Sequence, residues 1–453
     1  MTNWFAGIGQ AMSGLDAARY GLDVVSQNIE NADTAGYTRQ TIQQAAVVTP
    51  PLSGIYTSRT AQADLGGVTV ASTDRTDDPV LDARVRTEHG VGASMDTSAS
   101  TLNMLQGVLG EPSSTGLSAQ LSAFWTSWGS VANAPDSSGA RTVVLQTAQT
   151  VAGTLQSLSG SIANVATQTS ASLDSDLSQA NSAATQLATL NGQISIGNAV
   201  GQNVNSLLDQ RDQLLDTLSK LVGGVATIGA NGAATVTVGG QTLVSGGTTA
   251  ALSVDASHQV SVGGTAVALT GGSAAARVDL LTNTIPGYQA QLDNVANTLV
   301  AQGNAIQSAG YDLAGNTGAP LFSGTGAAGI TVALTDPSGI AASATPGGNL
   351  DGSNALRASQ AGSSTTGADA VFANLVGAMG SASALANQQQ STQDAVVSNV
   401  DALHASTSGV NYDEEVSNML TYQHAFSASS RVLTTIDEML DTLINHTGVV
   451  GRA

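Results

Sequence analysis

The densest set of side chains able to do chemistry is Asp209, Arg211 and Asp212, inside the run Asn205-Ser206-Leu207-Leu208-Asp209-Gln210-Arg211-Asp212-Gln213-Leu214-Leu215. Carboxylates beside a guanidinium can bind an anion, shuttle a proton or form ion pairs. Two readings stay open for this cluster: an ion pair between subunits or domains, or a solvated helix face whose pairs contribute roughly 0–1 kcal/mol. A second acidic set, Asp413-Glu414-Glu415, has the residue types of an acid–base pair or a metal site. It follows Asn411, a good helix cap, and acids in a first helical turn interact favourably with the helix dipole. Asn411 with Glu414 three residues on also fits a capping pair.

Other candidate chemistry is thinner. The five histidines, His89, His258, His404, His424 and His446, show no metal-ligand spacing, and the chain has no cysteine. Asp312, Gly315 and Asn316 resemble part of a calcium loop but lack the closing glutamate. No phosphate-binding glycine loop, nucleophile elbow or zinc-protease motif is present. Trp125 and Trp128 are expected to pack a helical core. The sequence therefore predicts no catalytic site, no metal and no cofactor.

Charge narrows the partners. Across 453 residues there are 33 acidic and 13 basic side chains, Lys220 being the only lysine, for a formal net charge of −20. Such a surface repels polyanions, so neither nucleic acid nor an anionic membrane surface is an expected partner. The start of the chain lacks a basic, then apolar, leader, and no run of 18 apolar residues occurs, so no cleaved signal peptide and no membrane insertion are expected.

The elements that would position these groups are mostly long helices. At the start, Phe5, Ile8, Met12, Leu15, Leu22 and Ile29 follow a 3-4 rhythm interrupted at Arg19 and Ser26. Near the end, Met419, Tyr422, Phe426, Leu433, Ile436, Leu440 and Leu443 keep the same rhythm, broken at Ser429. Each pattern makes an apolar stripe that needs a second helix, so the termini are expected to pair with each other or with neighbouring subunits and to fold fully on incorporation. Residues 41–80, with Pro50-Pro51, read as extended and irregular, with a short strand at Val68-Thr69-Val70. Asp77-Asp78-Pro79 opens a helical region that runs to about 222 and holds the aromatic-rich stretch Leu117 to Val131. Between 223 and 275 the period changes to two, with Asn231-Gly232, Gly239-Gly240 and Gly263-Gly264 as hairpin turns. Helical periodicity resumes at about 285, near Pro286. It gives way to a Gly-rich stretch at 310–366 and returns from about 367.

The expected fold is mainly α with an inserted β module: elongated, with paired N- and C-terminal helices, a long-helix bundle and a small antiparallel β domain. The domains follow as 1–60 with 406–453 (terminal helices), 61–222 with 276–320 and 355–405 (bundle), and 223–275 with 321–354 (outer β domain).

Motifs in three regions, the N-terminal one with an extension, point further. Ser13-Gly14-Leu15 through Asn28-Ile29-Glu30-Asn31 resembles the start shared by bacterial flagellar rod, hook and hook-associated proteins. Gly36-Tyr37-Thr38-Arg39-Gln40, the Asn205 to Leu215 run and Ser408-Gly409-Val410-Asn411-Tyr412-Asp413-Glu414-Glu415 resemble segments of the hook-associated family of the first hook–filament junction. The resemblance implies a structural adaptor ring joining hook to filament, exported unfolded without a cleaved leader and assembled through its terminal helices in the extracellular flagellum. It implies a homo-oligomer in the flagellar axis, with the hook protein and the second hook-associated junction protein as neighbours and an export chaperone on the C-terminal helix. It marks Asn28, Asn31, Gly36, Tyr37, Arg39, Asp209, Arg211, Asp212, Gly409, Asn411 and Glu414 as motif residues. Asn28 and Arg39 are expected to make specific contacts between subunits of a tubular assembly, and Gly36 to set backbone conformation. The alternative from another class is a secreted Ser/Thr/Gly-rich adhesin or binding module.

Overall fold

In the computed structural model residues 2–47 and 66–446 are described; Pro50-Pro51 and the side chain of Phe5 lie outside them. The first helix, α1 (Thr2–Glu30), is followed by an antiparallel hairpin of β1 (Gln40–Ala46) and β2 (Val68–Arg75), a fuller pairing than the single short strand expected. Asp78 then caps α2 (Pro79–Leu109), its Oδ1 accepting from the Val80 and Leu81 amides at 2.9 and 3.2 Å. Proline at the first helical position gives up only an amide that would have no partner within the helix.

The bundle continues with α3 (Leu117–Asn133), α4 (Ser138–Ala199) and α5 (Asn205–Val222). At 62 residues α4 is roughly 90 Å long at 1.5 Å per residue and forms the spine of the molecule. Val144, Val151, Leu155, Ile162 and Leu187 recur on its buried face. At one end the Phe124 ring lies 4.6 Å from Trp125 and tilted to it, 6.5 Å from Trp128 and 5.9 Å from Phe322, and both tryptophans are buried in the core.

The β module comprises two sheets rather than one. The first has β3 (Val225–Ile228), β4 (Ala234–Val238), β5 (Gln241–Ser245) and β6 (Thr248–Thr249) in sequential order. The second has β7 (Leu252–Val254), β8 (Val260–Val262) and β9 (Thr265–Ala266). Alternation puts Ala234, Val236 and Val238 inward. Three asparagines on α4 hold the module by its backbone. Asn181 exchanges hydrogen bonds with Leu252, Asn191 donates to Ala234 O and Gly246 O and accepts from Ala234 N, and Asn198 donates to Asn231 O.

The helix after the module starts earlier than expected, at α6 (Gly272–Asp279), and continues through a π turn at 280–284 into α7 (Ile285–Ser308). Pro286 therefore sits inside a continuous helical stretch. The wider turn just before it accommodates a residue with no amide to donate. Next come β10 (Phe322–Ser323), α8 (Gly326–Gly329), β11 (Thr331–Val332) and α9 (Ser353–Ser359). Segment 321–354 packs on α4 and α7 and shares no sheet with 223–275, so it lies with the bundle rather than with the β module. Buried polar groups pin it there. Gln307 bonds the backbone of Ala319, Gly339 and Ala341, and the Arg141 guanidinium donates to Pro135 O, Ser338 O and Ile340 O.

The chain ends with α10 (Ala368–Ser408) and α11 (Tyr412–Asp441). α10 lies along α2 and buries Phe372, Leu375 and Met379. No membrane-crossing helix was expected from the sequence. By length and composition alone, one 18-residue window in the helical stretch 353–445 is apolar enough for one, at a mean hydropathy of 1.2. α11 runs antiparallel to α1 as a two-helix pair.

Candidate functional site

The pairing of α1 with α11 has a regular register. A β-carbon on Gly7 would meet Ile436 Cδ1 at 3.5 Å, one on Gly14 would meet Ser429 Oγ at 3.1 Å, and one on Gly21 would press into the Tyr422 ring at 2.6 Å. Each step is seven residues on along α1 and seven back along α11, and the next step is Asn28 against Glu415. The contact row on α1 is thus Gly7, Ala11, Gly14, Ala18, Gly21, Val25 and Asn28, one residue ahead of the row expected from large apolar residues. The displacement has a steric cause: glycine and alanine let the backbones approach, while the bulk comes from Tyr422 and Ile436 across the seam. Met419, Phe426, Leu433 and Leu440 on α11 are half-buried beside it.

A second face of α1 carries the hairpin. Gln10 donates to Gly66 O, Ser13 Oγ accepts from Val68 N, the Thr73 hydroxyl donates to Tyr20 OH, and Ala17 and Val24 are buried on the same side. The third face holds Ile8, Leu15, Leu22 and Ile29, all partly exposed, and Met12, 54% exposed. On α11, Val416, Leu420, Val432 and Met439 face solvent, and Leu443, in the π turn just after the helix, is 48% exposed.

The seam ends in a polar junction where all three sequence motifs meet. Asn28, 1% exposed, has four partners: its amide nitrogen donates to Gln40 O (2.8 Å) and Glu415 Oε2 (3.0 Å), and its Oδ1 accepts from Gln40 N (3.0 Å) and Tyr37 OH (2.8 Å). Glu415, equally buried, takes Arg39 Nε on its other oxygen at 2.8 Å, while Arg39 Nη1 reaches Glu414 at 2.9 Å and Arg39 N donates to Ser408 O. Burial, and then the negative charges of Asp209 and Glu415, push the Tyr37 phenol up to about 12.

The α5 cluster joins the same junction. Arg75 Nη2 bridges Asp212 Oδ2 (2.7 Å) and Thr38 Oγ1 (2.9 Å). Its Nε lies 3.1 Å from Asp209 Oδ1, a charge contact off the donor axis. Burial raises the Asp209 carboxyl, and the adjacent Arg75 partly offsets this. Arg211 holds Asp212 Oδ1 through Nε and Nη2, and its Nη1 donates to Gly232 O in the β3–β4 turn at 2.8 Å. Asn205 donates to Gln40 Oε1 and Thr73 O. The cluster is therefore neither a solvated face nor a free anion site. Within the chain it ties the hairpin, α5 and the β module together.

The remaining motif residues are conformational. Gly36 has φ +76 and lies against Gln213, whose amide donates to Ala35 O. Asn31 stays local, bonding Gln27 O and the Thr34 hydroxyl. Gly409 is extended, and a β-carbon there would collide with Ala405 O. Asn411 caps α11 through the Asp413 and Glu414 amides, but the Glu414 side chain turns to Arg39 instead of completing a reciprocal cap. Sequence reasoning passed over Arg75, placed Gln40 in a motif without giving it a role, and took Glu415 for a helix-dipole acid. The available signal was the seven-residue spacing of Gly7, Gly14 and Gly21, which puts Asn28 and Glu415 in register.

Comparison with known proteins follows the same three segments. The flagella basal body rod protein family matches residues 9–38, the flagellar hook-associated protein FlgK helical domain residues 102–322, and the flagellar basal body rod FlgEFG protein C-terminal family residues 402–446. The chain is 30% identical to flagellar hook-associated protein 1 of Bacillus subtilis over the whole of both proteins. It is 29% identical to flagellar hook-associated protein 1 of Salmonella typhimurium over 70% of this chain and 59% of that protein. Among solved structures, the flagellar hook junction protein FlgK from Burkholderia pseudomallei shares the fold at a TM-score of 0.64 and 19% identity, covering 72% of this chain and all of that one.

Proposed function

We infer the role of this chain from the family to which it belongs, that of flagellar hook-associated protein 1: it is a structural component of the bacterial flagellum at the junction of hook and filament. The relatives are structural proteins, and nothing in them supports the adhesin alternative.

The observation that carries the mechanism is the α1–α11 pair with one face left uncovered. Pairing uses the glycine row of α1. Ile8, Met12, Leu15, Leu22 and Ile29, with Val416, Leu420, Val432 and Met439, remain as apolar surface for neighbours. In this proposal residues 1–60 with 406–453 are the polymerising unit, and the uncovered face packs on copies of the same chain in the flagellar axis. The hook protein lies on one side of that ring and the second hook-associated protein on the other. Before assembly an export chaperone covers the apolar stripe of α11, and the chain is exported unfolded. The polar junction transmits load from the paired ends through Arg39, Arg75 and Arg211 to α5 and the β module, which faces outward.

A deletion strain tests this. Loss of filaments is expected, restored by the intact gene but not by a variant with Met12→Glu and Leu15→Glu, which leaves the glycine row untouched. Motile deletion cells with normal filaments would overturn the role at the junction. Full rescue by the double variant would overturn the assembly face.

A further inference from the structure

Beside the polar junction a cavity of about 430 Å³ opens between α2, α5 and the end of α10. Two of the five histidines meet there, on different helices. His89 of α2 places Nδ1 2.5 Å from Asp216 Oδ1 of α5 and Nε2 2.9 Å from Asp401 Oδ1 of α10. His404 of α10 places Nε2 3.0 Å from Asp82 Oδ1 of α2. We propose that His89 and His404 form a proton-operated clasp: as imidazolium ions they fix the last turns of α10 to α2 and α5, and losing their protons frees the corner where α10 turns into α11.

The geometry of His89 requires the second proton. A neutral imidazole has one N–H and one lone pair, so a ring with a carboxylate oxygen on both nitrogens would turn a lone pair toward one of them. Charge in the cavity argues the same way. Asp82, Asp212, Asp216 and Asp401 line it with Arg75 and Arg86; Asp212 is held by Arg75 and Arg211, and Asp216 by Lys220, but among the described ion pairs Asp82 and Asp401 have only an imidazole, so neutral rings would leave those two carboxylates without one. Lys220, 2.7 Å from Asp216 Oδ2, is the other cation facing His89. The hydrogen bond to Asp216 raises the His89 imidazole, and the Asp82 carboxylate 3.0 Å away, a charge contact off the donor axis, raises that of His404, in both cases above the ordinary histidine value and outweighing burial. Because the folded-state value is raised, the clasp is complete below about pH 6.5, the unfolded value, and is lost as pH climbs through the folded one. The corner it controls is close by: Ser408, four residues beyond His404, accepts the Arg39 amide, and α11 begins at Tyr412.

Histidine-labelled full-length protein, followed by nitrogen-15 NMR and by hydrogen exchange over residues 398–412, tests the clasp. Both rings are expected to be doubly protonated at pH 7 and to titrate above the ordinary value. After correction for the intrinsic rate, exchange at 398–412 should rise by up to about tenfold per pH unit for each ring between about pH 6.5 and its folded midpoint, and level off above that midpoint. That rise should vanish in His89→Gln with His404→Gln. If that variant does not fold, Asp401→Asn removes only the α10 half of the bridge and should lower the His89 midpoint. Rings neutral at pH 7, a midpoint unmoved by Asp401→Asn, or an exchange rise that persists in the histidine variant would overturn the proposal.

Discussion

Replacing Glu415 with alanine tests whether the polar junction holds the chain ends together. The carboxylate is 1% exposed and accepts from Arg39 Nε at 2.8 Å and Asn28 Nδ2 at 3.0 Å. Its loss leaves an amide donor unpartnered in the interior and a guanidinium short of one partner. Breaking a buried ion pair from one side costs about 3–5 kcal/mol. Here the cost is lower, since the Arg39 side chain is 20% exposed and keeps Glu414 at 2.9 Å, so about 2–4 kcal/mol is expected. Global unfolding of a long multi-part chain is not two-state, so the readout is local hydrogen exchange in α1 and α11. At about 1.4 kcal/mol per decade, exchange in both helices should accelerate roughly 30-fold to nearly 1,000-fold. Arg39→Met with Glu415→Leu should recover much of the loss, because a matched apolar pair leaves no buried charge alone. Two results would refute the reasoning: α1 and α11 unprotected in the unaltered chain, or a change below about threefold in Glu415→Ala.

Further expectations concern the seam, the β module and alkaline pH. Gly21→Val should weaken α1–α11 pairing because its β-carbon would press on the Tyr422 ring, whereas Gly9→Ala, with nothing within 4 Å, should be neutral or gain up to about 1 kcal/mol of helix propensity; helix protection of the two variants separates them. Asn191→Ala strips partners from Ala234 and Gly246, so the β module should loosen from α4 by about 2–4 kcal/mol, seen as faster exchange in β4 and β5 with the bundle unchanged. Tyr37 keeps its proton in the folded state up to about pH 12, so as pH rises from about 10 toward 12 the unfolded chain ionises first and the junction loses stability. Tyr37→Phe should abolish that part of the alkaline loss, and ultraviolet titration of the phenols follows it directly.

Element type was readable wherever one period dominated a long window. The helical runs from Pro79 to Val222 and from Ala368 onward, the alternation at Ala234 to Val238, and the breaks at Pro135 and Gly201 each rest on local stereochemistry. The reading slipped where two helices meet. Large apolar residues marked Ile8, Met12, Leu15 and Leu22 as the seam of α1, but the helix turns its glycines inward because its partner brings Tyr422 and Ile436. It slipped again at segment 321–354, whose short β-like patches resemble those of the β module but whose amide-bonded backbone belongs to α4 and α7.

The sequence by itself determined the main elements, an apolar stripe at each end that needs a partner, and the motifs that mark the family, because these depend on residue types close together in the chain. Tertiary structure alone decided that the motifs form one junction. Asn28, Arg39, Arg75, Asp212 and Glu415 are separated by up to 387 positions along the chain, and their local sequence does not show that folding strips most of the water from them together. Once that water is gone every polar atom needs a partner. That requirement acts with the glycine spacing of α1 to fix the α1–α11 register, and it alone aligns the paired ends with the bundle.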